Sequence, residues 1–450
     1  MNAKPKNAAL SDSFSHPEPV FVIAKGAGII FAGNIVGSGL RYLFLMIVAR
    51  HMDLALFGLF SLGFAVFSVA EVFACLGMNR GVLRFVPIYH MEEDSQRLKG
   101  TLLDAASVSV AGGCLASLGL IAFSGFLSNE VFHAPQLASM LRVFAIAIPF
   151  SVLTTLFLAA TQGLKIMRYK VYVRDLLEPL LRLICVFLMF YAGYRLWGPF
   201  FAVVISVISG TFLSYSLCRK TFSSILRNDI RTIHEIRNLT SFVWPLFLSS
   251  GLRLLELWVP VFVLGYYVLP EVVGIFGAAH RTLLLAHGIL LSFNTVFVSF
   301  ISERYRNGRL QELGELFKTV SGWIFSMSFP LLLIMILFSR EILMLFGYEF
   351  VSGSDCLIIL GVGEIINASG GPLGVMLEMS GRSRITLTNA IVHFVIQAGL
   401  CLVLIPMYGI IGAAAARTVS VVFMRVVLFL EVHLLLRVNP FRTSFYKPLI

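Results

Sequence analysis

Ser38-Gly39-Leu40-Arg41 and Ser250-Gly251-Leu252-Arg253 are the same tetrapeptide, met twice in one chain. Each copy lies inside a long apolar stretch, and each stretch opens one half of the protein. Each also places an arginine where lipid is expected. Further echoes follow in the same order. Phe57-Gly58-Leu59-Phe60 is answered by Val273-Gly274-Ile275-Phe276, and Asn79 with Phe85 by Asn294 with Phe300. Phe132 is answered by Phe346, and Gln162-Gly163 by Ser380-Gly381. The offsets stay between 212 and 218 residues. Such ordered self-similarity marks an internal repeat. The expectation is two copies of one membrane unit, related by an axis along the membrane normal, with a cationic cavity between them.

The composition agrees. The 450 residues are 58% hydrophobic and 13% charged, with a mean hydropathy of +0.88. Soluble domains carry about 25% charged residues. Apolar runs of about 20 residues, the length that crosses a bilayer, recur from Phe21 almost to the end. Strands would instead show alternation over ~10 residues. The fold class is therefore all-α and polytopic. Twelve helices are placed at about 22–48, 56–76, 101–127, 137–162, 172–192, 197–218, 240–263, 271–300, 317–338, 354–379, 385–405 and 410–433. They divide into an N-terminal tail (1–20), a first six-helix bundle (21–218), a linker (219–239), a second bundle (240–433) and a C-terminal tail (434–450). Residues 1–19 are polar, and the first apolar run has full spanning length, so it reads as a retained span and not a signal peptide.

The net charge of +11 has a membrane explanation. With a cytoplasmic N-terminus, the inside segments hold 23 basic residues. The outside loops hold three, Arg50, Arg195 and Arg340. That bias predicts both termini inside and removes the need for a nucleic-acid partner. Cys75, Cys114, Cys185, Cys218, Cys356 and Cys401 all lie in or beside apolar runs and read as small hydrophobes, not as metal ligands or disulfides.

Charge inside a bilayer costs roughly 2.5–3.5 kcal/mol per residue on insertion scales, so charged residues in spans usually face a cavity. Asn34, Ser38 and Arg41 share one face of the first helix, at i, i+4, i+7. Ser249, Arg253 and Glu256 do the same in the seventh. Arg142, Arg182, Arg281, Arg417 and Arg425 add positive charge in later helices. The expected substrate-binding set is Arg41, Arg253, Arg182, Arg281 and Arg417 with Asn34, Ser38 and Ser249. The surplus of arginine over acid points to an anionic cargo, since guanidinium binds phosphate oxygens bidentately. Glu178 and Arg182 at i, i+4 and Arg253 and Glu256 at i, i+3 can also pair locally, and Arg142 and Arg425 can snorkel to an interface. Glu71 and Glu364 have no sequence-local partner. With Glu256 they are the candidates for coupling to H+ or Na+. His280, His287 and His393 read as packing or hydrogen-bonding residues. Gly370-Gly371-Pro372 is the best candidate for a working bend, because three helix breakers fall together. No phosphate-binding loop, nucleophile elbow or metal motif is present, and the outside loops are short, so the chain reads as a non-enzyme without cofactor.

Several segments then resemble a known family. Ala49-Arg50 through Phe57-Gly58-Leu59-Phe60, Leu76-Gly77-Met78 and Arg84-Phe85-Val86-Pro87-Ile88-Tyr89 look like the first half of bacterial oligosaccharide flippases of the Wzx type. So do Val273-Gly274-Ile275-Phe276, Phe300-Ile301-Ser302-Glu303, Leu345-Phe346-Gly347 and Gly381-Arg382-Ser383-Arg384. The run Leu404-Ile405-Pro406-Met407-Tyr408-Gly409-Ile410-Ile411-Gly412 completes the set. The resemblance covers residues 20–435. It implies the multidrug/oligosaccharidyl-lipid/polysaccharide exporter superfamily and two six-helix bundles in a V. The implied cargo is an undecaprenyl-pyrophosphate-linked oligosaccharide, flipped across a bacterial inner membrane by alternating access for surface polysaccharide (lipopolysaccharide O-antigen) synthesis. Membrane lipids, a polysaccharide polymerase and chain-length machinery are the implied partners. There are departures. Glu256 stands near where the family often has an aspartate, Arg417 where it commonly has a threonine-like residue, and the chain stops at Ile450 where many relatives continue. Either this is a twelve-helix member or a tail is lost. A cation-coupled drug antiporter of the same fold is the main alternative, although the first helix lacks an acid to attract cationic drugs. A non-transporting scaffold of an envelope complex is another.

Overall fold

A computed structural model describes residues 17–226, 230–306, 310–380 and 382–436, with side chains described from residue 32 onward except for 289, 291–306, 310, 383 and 436. The tails and Gly381 lie outside the described residues, as do the side chains of Asn294 and Phe300.

The described chain is helical throughout. The first half contains α1 (Pro17–His51), α2 (Leu54–Cys75), α3 (Met78–Met91), α4 (Ser95–Phe126), α5 (Leu137–Gly163), α6 (Arg168–Lys170), α7 (Glu178–Tyr191) and α8 (Gly198–Thr221). The second contains α9 (Ile236–Tyr267), α10 (Pro270–Arg306), α11 (Leu310–Leu337), α12 (Ser339–Met344), α13 (Ser354–Ser369), α14 (Leu373–Met379) and α15 (Ser383–Leu436). Among the described residues, eight helices are long and apolar enough to cross a membrane. The α13–α14 pair, bent by 45°, adds a ninth if it is one span. That bend falls on Gly370-Gly371-Pro372, with Gly371 at φ +61°. A second break interrupts α15 at Gly409 (φ 55°, ψ −126°), after Pro406.

The outer surface is apolar, as a lipid-facing surface must be. On α4, Leu115, Leu118, Phe123 and Phe126 are exposed, and on α15 Leu402, Val403 and Met407. The interior is filled by Phe57, Phe60, Phe144, Phe200, Phe276 and Phe346, all fully buried.

The repeated motif meets itself. Gly58 of α2 and Gly274 of α10, equivalent in the two halves, cross back to back. A Cβ on Gly58 would overlap the Pro270 carbonyl, and one on Gly274 would stand 3.2 Å from the Gly58 nitrogen. Equivalent residues touching is what a two-fold axis between the halves produces. Around this crossing the halves are sealed together. Phe57 stands edge-on to Phe350 at 5.3 Å and Tyr42 to Phe346 at 5.3 Å, while Phe132 tilts over Phe262 at 6.4 Å. Arg50 Nε donates to the Leu345 carbonyl at 2.7 Å.

The other end is joined differently. The linker lies on the first half: Lys99 Nζ donates to the Ile230 carbonyl at 2.9 Å, and the Glu235 N–H to Asp104 at 3.0 Å. Gly100 leaves room for the Ile233 carbonyl, where any Cβ would clash. The Tyr89 hydroxyl donates to Glu235. Burial, and then the Glu235 carboxylate, push the Tyr89 phenol up to about 12.

Candidate functional site

The site begins with a helix irregularity. Between α6 and α7, Val171–Leu177 is π-helical, with each N–H reaching back five residues. In that register Glu178 N–H bonds Val173, and the next bond would run from residue 179 to Arg174. Residue 179 is proline and has no N–H. The Arg174 carbonyl is left over, and Arg41 NH1 donates to it at 3.3 Å. Pro179 thus creates the acceptor that draws the α1 arginine inward.

α1 can approach because it is bare on that side. A Cβ on Gly37 would lie 2.7 Å from the Asp175 carbonyl, and one on Gly33 would collide with Val171. Small residues four apart allow such close helix packing in membranes. One turn on, Arg41 NH1 also reaches Asp175 Oδ1 at 3.3 Å, and NH2 reaches Ser38 Oγ at 3.2 Å. From there the charges form a ladder. Arg174 pairs with Glu71 at 2.7 Å and Glu178 at 3.6 Å, and Glu178 pairs with Arg182 at 3.3 Å. Three arginines face three acids.

This corrects several expectations. Arg174, which is outside the expected substrate-binding set, sits within the bundle. Asp175 was not among the anticipated intramembrane acids. Glu71, which has no sequence-local partner, is ion-paired to a residue 103 positions away. The first half therefore holds no surplus of arginine at this cluster.

Beside the ladder is a cavity of about 210 Å³ where the halves meet. Ser38, Arg41, Tyr42, Phe60, Phe64 and Arg182 line it from the first half, and Trp258, His280 and Arg281 from the second. Arg41 is 40% exposed and can reach a ligand. Arg281 differs from its neighbours. Its guanidinium lies 5.1 Å from the Phe64 ring centre and 5.9 Å from that of Trp258, a cation–π site. It has no acid partner among the described residues, and its NH2 is buried without a hydrogen bond. Arg417 is also buried and makes no ion pair among the described residues; it stands within electrostatic reach of His280 and Glu364.

The remaining expected residues fall elsewhere. Arg253, matched to Arg41 by the repeat, does not line this cavity; it is half exposed and 3.7 Å from Glu378. It does not pair with Glu256, which instead meets His393 Nδ1 at 3.0 Å. Ser249 bonds the Leu246 carbonyl, and Asn34 is half-buried on α1 away from the cavity. Glu364 is buried against His287 Nδ1 at 2.6 Å and Asn367 Nδ2 at 2.8 Å. Arg425 does not snorkel. Its Nε donates to Asn367 Oδ1 at 2.5 Å and its NH1 to the Gly371 carbonyl at 3.0 Å, at the α13–α14 bend. Arg142 donates to Ser124 Oγ at 3.1 Å. The six cysteines are free thiols.

Comparison with known proteins fits this architecture. The family model described as polysaccharide biosynthesis protein matches residues 23–303, more than half of the chain, and the MatE family model matches residues 245–403. The chain is 28% identical over 194 residues to the capsular polysaccharide biosynthesis protein CapF of Staphylococcus aureus. That match covers 43% of this chain and 48% of CapF, so about half the length of that relative is spanned. It is 23% identical over 409 residues to Agl15 of Haloferax volcanii, a probable low-salt glycan biosynthesis flippase, covering 88% and 81% of the two chains. Among solved structures, an inward-facing multidrug resistance MATE family transporter superposes with a TM-score of 0.75 at 15% identity, over 89% of this chain and 94% of that one. The lipid II flippase MurJ in an inward closed conformation gives 0.70 at 18% identity, over 90% and 87%. At these identities the solved structures establish the fold alone. This multi-pass membrane protein belongs to the polysaccharide biosynthesis protein family of the multidrug/oligosaccharidyl-lipid/polysaccharide exporter superfamily.

Proposed function

We propose that this protein flips an undecaprenyl-pyrophosphate-linked oligosaccharide across a bacterial inner membrane by alternating access, with both termini cytoplasmic. The observation that carries this reading is the unpaired Arg281 guanidinium at the cavity between the halves. A buried charge without a partner is costly unless a ligand supplies the counter-charge. Arg41 stands on the opposite wall and Ser38 offers a hydroxyl. Small-molecule pockets hold roughly 300–1,000 Å³, so about 210 Å³ suits an anionic head group, not a whole glycan. The sugars would occupy the space that opens when the halves part, and the polyprenyl tail would stay in lipid. A polymerase and chain-length machinery are the partners that such a product would feed. The names of CapF and Agl15 support the glycan part of this reading.

The test is translocation of a fluorescent polyprenyl-pyrophosphate oligosaccharide in proteoliposomes. Wild type should move it, and Arg281→Ala and Arg41→Ala should lose most of that transport while retaining expression and monodispersity. Full transport by both variants would sink the cavity assignment. Failure of wild type with this probe and with one of different glycan structure would sink the flippase reading.

A further inference from the structure

Three carboxylates were candidates for an ion-coupling site, and the structure treats them differently. Glu71 is held by Arg174 at 2.7 Å, a permanently charged partner. Glu256 meets His393, but the second nitrogen of that ring, Nε2, is buried without a partner. Glu364 meets His287, whose ring is a quarter exposed. Of these three, only this last pair joins a buried carboxylate to a partly exposed titratable ring.

The pair is also wired to a moving part. Glu364 Oε1 accepts from both His287 Nδ1 and Asn367 Nδ2. Asn367 Oδ1 accepts from Arg425, and Arg425 donates to the Gly371 carbonyl at the 45° bend. The bend itself is tight: Gly371 has positive φ, and a side chain there would collide with Ser321 of α11.

We propose that His287 and Glu364 form the proton-binding site of this transporter, and that it acts on the α13–α14 bend through Asn367 and Arg425. As a coupling site it rests on the flippase reading. Nδ1–H stays on the Glu364 carboxylate, which fixes the tautomer, and a proton adds to Nε2. The ring then carries a full charge against Oε1 and competes with Asn367 for the same oxygen. Asn367 is released, Arg425 loses one of its two acceptors, and the bend is freed. Loss of the proton reverses each step.

The surroundings favour a proton over a metal cation. From α13, Glu364 faces His287; from α15, Arg417 and Arg425 stand near Glu364; on α10 itself, His280 and Arg281 lie one to two turns away. Glu71 of α2 and Glu378 of α14 are turned to Arg174 and Arg253, and Lys318 of α11 pairs with none of them. Hard cations need several converging oxygens. Here the carboxylate oxygen is already taken by two N–H donors, and its other neighbours are cations.

The experiment is pulsed EPR on the full chain in nanodiscs, across pH 5 to 8. Spin labels go on Gly374→Cys of α14 and Gly119→Cys of α4, both open positions, with Cys114 and Cys185 replaced by serine. Wild type should shift its distance distribution between pH 8 and pH 5, because imidazole gains a proton across that range. His287→Gln should hold one distribution at every pH, and His393→Gln should keep the wild-type response. A wild type without a pH response, or a His287→Gln variant that responds as wild type does, overturns the proposal. Glu364→Gln should match His287→Gln; if it does not fold, His287→Gln decides alone. Because no cargo is present, this readout is independent of the translocation assay. A His287-dependent shift in a protein that moves no lipid-linked glycan would keep the proton site and discard the flippase reading.

Discussion

The two halves repeat one architecture and charge it in opposite ways. In the first, arginines are matched to carboxylates: Arg41 to Asp175, Arg174 to Glu71 and Glu178, Arg182 to Glu178. In the second, two acids meet histidines, the buried Glu364 with His287 and the half-buried Glu256 with His393. There Arg281, Arg417 and Arg425 have no carboxylate contact among the described residues, and Arg253 pairs only loosely with Glu378. Guanidinium cannot shed its proton, so an Arg–carboxylate ladder is fixed across physiological pH. An imidazole can shed its proton, so a His–carboxylate pair can change charge. The first half is built as a permanent, neutral framework. The second carries free positive charge and the His–carboxylate pairs within its own helices; the first has one such pair, Asp104 with His234 of the linker.

The sharpest way to break this comparison is to remove one acid from each half. Glu178→Gln leaves Arg174 and Arg182 short of an anion, and losing one partner of a buried ion pair costs about 3–5 kcal/mol. Glu364→Gln still offers a neutral acceptor to His287 Nδ1 and Asn367 Nδ2, so its cost should approach the ~1–3 kcal/mol of a lost buried hydrogen bond. Thermal unfolding in detergent would rank them, and equal losses would end the distinction.

Next in size is the free charge. Arg281→Ala should weaken transport by about 10- to 100-fold, from the ~1.5–3 kcal/mol of a charge-assisted hydrogen bond. Arg253→Ala, half exposed and outside the cavity, should lose far less. Initial rates in proteoliposomes check this, and an equal loss would place Arg253 in the site after all.

The glycine crossing tests the axis between the halves. Gly58→Ala drives a methyl into the Pro270 carbonyl, whereas Gly274→Ala meets its nearest atoms at 3.0 Å. Overpacking costs about 1–3 kcal/mol. Gly58→Ala should therefore pry this end open, and cysteine labelling at Phe350 should rise more than for Gly274→Ala. Unchanged labelling would show that this seal is not the gate.

The smallest effect belongs to the linker. The Tyr89 phenol is raised to about 12 when docked, against about 10 when free. Its contribution to docking is thus full below pH ~10 and is lost as pH rises through 12. Proteolysis of the linker should accelerate above pH 10 in wild type. Tyr89→Phe should flatten that pH dependence, and an unaltered profile would assign it to another group.

Much of the fold was legible because it depends on local quantities. The apolar runs located the long helices, since a span is decided by the transfer cost of its own residues; the shorter α3, α6 and α12 carry no such signal. Gly370-Gly371-Pro372 announced the bend, because backbone freedom and a missing N–H act in place. The Glu178–Arg182 pair was visible at i, i+4. A sign of the whole ladder was also present: Arg174, Glu178 and Arg182 alternate in charge every four residues, with Pro179, directly after Glu178, freeing a carbonyl. Asp175 carries no such local sign, because its partner Arg41 lies 134 residues away.

The chain itself determined that this is a repeated, all-helical membrane protein with arginines inside it. Repetition, periodicity and hydropathy are properties of neighbours in sequence, and they survive without coordinates. Which charges are free was decided only in three dimensions. Glu71 finds Arg174 across 103 residues, Arg41 finds Asp175 across 134, and His287 finds Glu364 across 77. Arg41 and Arg253 share a tetrapeptide, yet one is neutralised at the cavity and the other stands outside it. A counter-charge is recruited by whatever helix packs alongside, and that depends on Gly33, Gly37 and the π-turn before Pro179 acting together, not on any one of them alone.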